Sequence, residues 1–151
     1  MHIFLCTMKC TIIAVIFLLN QGAFGGEFGP YQAEIVSVYD GDTFTADVAV
    51  WPGQTNRVHV RVDGIDAPEI RARCAREKSL AMKARDAMRG ILARGRVMLT
   101  HIRRGKYAGR MLASVHVAGM DVGAEMIRRG LAREYHGGKR GSWCFAGGPT
   151  L

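Results

Sequence analysis

The sequence predicts a mainly β domain of the α+β class, and three observations carry that reading. Five short stretches alternate apolar and polar residues, as half-buried strands do. One long stretch, Cys74 to Ala93, switches to helical spacing between the third and fourth of them. A shorter helical run follows the fifth.

The elements follow in order along the chain. Ala33 to Tyr39 alternates, and Asp40-Gly41 after it has the composition of a two-residue hairpin turn. Asp42 to Val50 is the second strand, and Trp51-Pro52-Gly53-Gln54 turns the chain. Val58, Val60 and Val62 form one face of a third strand, with His59, Arg61 and Asp63 on the other. In the long helix, Leu80, Ala84, Ala87, Met88, Ile91 and Leu92 recur on one side, and Gly95 marks its end. Arg96 to Ile102 and Met111 to Val117 are strands four and five. Asp121 is placed to cap a short helix carrying Val122, Met126 and Ile127, which ends at Gly130. Five strands with a helix between the third and fourth fit a Greek-key barrel of the OB type, and roughly 110 residues suffice to bury its core. An open α+β sandwich satisfies the same periodicities.

The chain has 151 residues, 48% of them hydrophobic, which excludes wholesale disorder and leaves space for one domain of ordinary size. No period of tens of residues recurs, so repeat architectures are excluded as well. A net charge of +8 and a pI of about 9.8 point to a polyanionic partner, either nucleic acid or an anionic membrane surface.

Residues 1–25 have the layout of a signal peptide: Lys9, the apolar run Thr11 to Leu19, then Ala23-Phe24-Gly25 before the cut. The run is shorter than the roughly 20 residues that span a bilayer. The expected divisions are therefore a signal at 1–25, a domain at 31–136 and a Gly-rich tail at 137–151. The mature chain is expected to be secreted or periplasmic, monomeric and without stable membrane association. Cys6 and Cys10 leave with the signal. Cys74 and Cys144 remain, and two cysteines in an exported chain predict one disulfide, which would pin the tail beside the 66–69 loop. Closing a loop of about 70 residues stabilises by roughly 4 kcal/mol in the chain-entropy model. Neither cysteine has a second Cys or a His at zinc-ligand spacing, and His59, His101 and His116 sit in strand-like runs as ordinary half-exposed residues.

Three segments carry chemistry. Asp40-Gly41-Asp42-Thr43 joins strands one and two. In Arg61-Val62-Asp63-Gly64-Ile65-Asp66-Ala67-Pro68-Glu69, two carboxylates three residues apart follow a strand, with an arginine five residues before the first. Clustered acids in so basic a chain suit a hard cation. Lys106-Tyr107-Ala108-Gly109-Arg110 is a basic, aromatic turn opening strand five.

Together these segments resemble the staphylococcal-nuclease-like (thermonuclease) family over residues 31–135. The resemblance rests on VYDGDTF at 38–44, VRVDGIDAPE at 60–69, KYAGRMLA at 106–113 and DVGAEMIRRGLA at 121–132. It implies an OB-fold enzyme that hydrolyses phosphodiesters of DNA and RNA with Ca²⁺. It further implies Asp42, Asp66 and the Ala67 carbonyl as metal ligands, with Glu69 as general base or water-orienting group. Arg61 and Arg110 correspond to phosphate-binding arginines, and Lys106, Tyr107 and Tyr135 to residues around the bound nucleotide. Ala108 lengthens the turn before Arg110, an insertion able to shift that arginine from the phosphate.

These residue types suit the reaction. A phosphodiester repels hydroxide, so its hydrolysis needs positive charge at phosphorus and an oriented water. Ca²⁺ takes oxygen ligands and retains waters, and the arginine fork grips phosphate oxygens through paired hydrogen bonds. An ionised Glu69 accepts hydrogen bonds and can hold or deprotonate a water. Two other readings stay open: a catalytically inactive OB-fold module that binds nucleic acid, and a cationic exported protein on anionic lipid. A pure binding module has no need of the full set Asp42, Asp66, Glu69, Arg61 and Arg110. The apolar stripe of the long helix is narrow enough to pack on a barrel rather than on lipid.

Overall fold

The computed structural model describes residues 28–107 and 109–145. The expected signal peptide, with Cys6 and Cys10, lies outside the described residues, as do Ala108 and the last six residues of the tail.

Strands β1 (Tyr31–Val38), β2 (Thr43–Trp51) and β3 (Gln54–Val62) form an antiparallel meander. After the short strand β4 (Ile65–Asp66) comes helix α1 (Ala75–Leu92), then β5 (Val97–Arg104) and β6 (Arg110–Val117). β5 pairs with β1, β6 pairs with β5, and β6 runs parallel to β3. That last pairing closes five strands into a barrel, mainly β with two helices, as an OB-fold requires. The open sandwich is thereby excluded. β7 (Met120–Asp121) leads into α2 (Val122–Arg128), and β8 (Arg133–Glu134) returns to pair with β4.

Alternation explains the barrel interior. Phe44, Ala46 and Val48 of β2, Val60 and Val62 of β3, and Ala113, Val115 and Val117 of β6 share one buried core. Ala84, Met88 and Ile91 of α1 and Val122 and Met126 of α2 join it from the ends. Cys74 caps α1 and Asp121 caps α2, its carboxylate accepting from the Ala124 N–H at 2.7 Å. No helix among the described residues is long and apolar enough to cross a membrane.

Several boundaries differ from the sequence reading. Asp40-Gly41 is not a two-residue hairpin turn, because β1 ends at Val38, β2 begins at Thr43, and the link between them folds inward with Asp40, Gly41 and Asp42 all buried. Tyr39 and Asp40 both donate their N–H to the Thr43 carbonyl. Helix α1 stops at Leu92 with Ala93 as its cap, before Gly95. On the buried side of α1, Ala81 replaces Leu80 and Ala87 at the centre, and both of those are only half-buried. The β4–β8 pair was invisible because two-residue strands carry no period.

Gly41 is where this loop meets the helix. A Cβ there would lie 2.6 Å from the Ala84 Cβ and 2.8 Å from the Ala67 Cβ, so only glycine lets the loop lie flat on α1. Gly41→Ala is expected to destabilise the fold by about 1–3 kcal/mol through overpacking, read as a lower urea midpoint at unchanged slope. An unchanged midpoint would show that the loop does not depend on this approach.

Candidate active site

Where the inward loop, the end of β3 and β4 converge, four acidic residues gather: Asp40, Asp42, Asp66 and Glu69. Asp42 is almost wholly enclosed, at 1% exposure. Its Oδ1 accepts from the Thr43 hydroxyl at 2.8 Å and lies 2.7 Å from Nη1 of Arg61. Its Oδ2 accepts from the Ala67 N–H at 3.0 Å. Arg61 is buried in turn, donating through Nη2 to the Ile65 carbonyl at 3.1 Å and standing 3.7 Å from Asp66 Oδ1. The β3 alternation does turn Arg61 away from Val60 and Val62, but into this enclosed cluster rather than to solvent. Loop, strand and β4 are thus tied by one carboxylate and one guanidinium.

Asp66 receives a 3.2 Å hydrogen bond on Oδ2 from the indole N–H of Trp143. Its Oδ1 is 3.1 Å from Nε of Arg140, yet accepts no hydrogen bond of good geometry among the described residues. Burial, only partly offset by Trp143 and the neighbouring cations, lifts the Asp66 carboxyl above its ordinary pKa. Asp40 is pushed up to about 8, first by burial and then by the adjacent Asp42 charge. Its Oδ1 accepts from the Asp42 N–H at 3.2 Å. Neighbouring acids with one undonated buried oxygen have the chemistry of a hard-cation site. No three of these four acids bring ligand atoms within 4.8 Å of one another among the described residues, and the oxygens of Asp42 and Asp66 face Thr43, Arg61, the Ala67 N–H, Trp143 and Arg140. Ala67 meets the cluster through its N–H, which donates to Asp42.

Cys74, Glu77 and Cys144 are the one set of three potential ligands whose donor atoms lie within 4.8 Å among the described residues. Cys74 and Cys144 form a disulfide with Cα atoms 5.9 Å apart, so neither offers a thiolate and this is no metal site. The expected disulfide is present, and it does set the tail beside the 66–69 loop. Arg140 donates through Nη1 to Glu69, and Trp143 is buried beneath Arg133, whose guanidinium carbon lies 3.6 Å from the indole centre.

Not every expected site residue joins the cluster. Arg110 stacks over Tyr107 at 5.4 Å, and none of its recorded contacts reaches the carboxylates. Lys106 and Tyr107 are exposed on the same turn. Tyr135 sits on the wall of a cleft of about 280 Å³ lined also by Arg61, Gly64, Arg103, Leu112 and His136, and its hydroxyl donates to the Gly138 carbonyl. An apolar cleft of about 260 Å³, walled by Phe28, Val58, Leu99 and Ile102 among others, includes none of the four acids. Sequence reasoning gave no role to Asp40, Arg140 or Trp143. Asp40 lay within the DGDT segment, and the only signal for the other two was their closeness to Cys144.

Comparison with known proteins bears on the family of the chain. Residues 59–142, more than half of the chain, match the model of the family described as staphylococcal nuclease homologue. A relative from Escherichia coli O157:H7, named an uncharacterized endonuclease, is 32% identical over 105 residues, covering 69% of this chain. The chain spans 61% of the length of that relative. On the matched residues and the closed barrel, this chain belongs to the staphylococcal nuclease homologue family.

Proposed function

We propose that this protein is a calcium-dependent nuclease that hydrolyses phosphodiester bonds of DNA or RNA. The observation that carries the reading is the buried Asp42–Arg61 pair beside Asp66 and Glu69. Asp42 and Asp66 would hold the cation, and the bound ion would neutralise phosphate charge and supply an activated water. Arg61 fixes Asp42 in place. Glu69, on the rim of the site, would orient the attacking water or take its proton. Lys106, Tyr107 and Tyr135 offer cationic and aromatic surface for a strand passing the site. Family membership and the endonuclease relative support the reaction class, and the basic charge supports a polyanionic substrate.

We infer export as well, to a periplasmic or extracellular space, with the chain acting as a monomer. The Cys74–Cys144 bond supports it, since such bonds persist in oxidising compartments.

Purified protein is expected to digest single-stranded DNA, duplex DNA or RNA with Ca²⁺ and to stop when the ion is chelated. Asp42→Asn should be inactive under the same conditions. Retarded migration of nucleic acid without any cleavage would identify a binding module instead. Equal cleavage in excess chelator, shared by Asp42→Asn, would reject the metal assignment.

A further inference from the structure

We propose that Arg140 is a substrate-contacting residue of this site, a phosphate clamp delivered by the tail and held in place by the Cys74–Cys144 bond. The inference rests on the nuclease reading and extends it to a residue outside the motifs that suggested it.

Three arginines compete for the role. Arg61 stands at the carboxylates, but its side chain is only 9% exposed and both terminal nitrogens are engaged, with Asp42 and with the Ile65 carbonyl and Asp66. Arg110 is stacked on Tyr107 and forms no ion pair with the four acids among the described residues. Arg140 alone of the three meets the acids and solvent together, with its side chain 37% exposed. Its Nε faces Asp66 and its Nη1 is bonded to Glu69, while Nη2 makes no hydrogen bond among the described residues. A guanidinium steadied on two carboxylates, with a third nitrogen open, is preorganised to donate to a phosphate oxygen.

The arm that carries it is built, not loose. Four residues on, Cys144 is bonded to Cys74 at the head of α1. Trp143 is buried between Arg133 and Asp66, and Arg133 also donates to the Ser142 carbonyl at 3.1 Å. On the other side, Tyr135 holds the Gly138 carbonyl, and the Arg140 guanidinium lies 6.0 Å from the Tyr135 ring. The tail therefore enters from Tyr135, presents Arg140 to the acids, and is locked by the disulfide. Arg61 is turned inward onto Asp42, and Arg140 adds positive charge on the open side of the site.

The test has two independent readouts. In chelator, binding of a single-stranded DNA oligonucleotide is followed across salt concentration. Arg140→Gln should reduce the slope of log affinity against log salt by about 0.7, the loss of one phosphate contact, while Arg140→Lys retains it. With Ca²⁺, kcat/KM should fall about 10²-fold or more in Arg140→Gln, with partial recovery in Arg140→Lys. The Cys74→Ser/Cys144→Ser variant should lose activity similarly, and adding Arg140→Gln to it should change little further. A wild-type slope and wild-type kcat/KM in Arg140→Gln would overturn the proposal, and so would faster cleavage, which would make the tail a plug. Should the double cysteine variant fail to fold, the Arg140 variants decide. A wild-type protein that never cleaves would defeat the nuclease reading, whereas the salt slope still reports whether Arg140 touches phosphate.

Discussion

Replacing Glu69 with glutamine is expected to lower turnover by about 10²–10⁴-fold while nucleic-acid affinity stays near that of the unchanged protein. The side chain is 39% exposed and outside the core, and it pairs with Arg140. Glutamine keeps the length and one acceptor oxygen, so it can still receive the Arg140 N–H. What it loses is the charge and basicity needed to take or strongly orient the proton of a water. A group acting in that way is felt mainly in the transition state, so kcat falls and KM moves little. The measurement is steady-state cleavage of an oligonucleotide with Ca²⁺, paired with anisotropy titration in chelator. Undiminished kcat would leave the mechanism without its base or water-holder. A fall in affinity matching the fall in rate would instead make Glu69 part of the binding surface.

Why the sequence revealed some of this site and hid the rest has a physical answer. The barrel was legible because period-two alternation in residues such as Val58, Val60 and Val62 is imposed by one buried sheet face. α1 was legible because Ala84, Met88 and Ile91 recur at helical spacing toward the same core. Asp42, Asp66 and Glu69 stood in compact motifs beside glycine and proline, where chemistry-bearing residues are conspicuous. The inward fold of 39–42 was not legible, since it depends on how closely Gly41 approaches Ala84, a residue 43 positions later. The depth of Arg61 was hidden for a related reason. Alternation says which way a side chain points, but not whether another segment will cover it. Arg140 and Trp143 were hidden furthest. Cysteine pairing brought the tail to the right face, yet which tail residues turn toward Asp66 is a tertiary outcome with no local pattern.

The burial of Arg61 changes what its removal should do, and it sets up the second large effect. An arginine that touched only phosphate would, on truncation to alanine, cost rate and nothing else. Arg61→Ala instead leaves Asp42 enclosed at 1% exposure with its nearest countercharge, 2.7 Å away, deleted. Breaking a buried pair from one side typically costs about 3–5 kcal/mol, because the surviving charge is stranded. The unfolding midpoint of metal-free Arg61→Ala should therefore fall by that order. Part of the loss should return in Arg61→Ala/Asp42→Asn, where the stranded charge is gone as well. Added Ca²⁺ should stabilise Arg61→Ala more than wild type, since the ion can take over as countercharge to Asp42. Assayed at a temperature where it remains folded, Arg61→Ala should still lose about 10–10²-fold in activity, the usual cost of removing a group that orients a metal ligand, and Arg61→Lys should restore stability better than rate. Equal midpoints for Arg61→Ala and wild type would mean that Asp42 carries no charge needing compensation, and the case for a cation at Asp42 and Asp66 would fall with it.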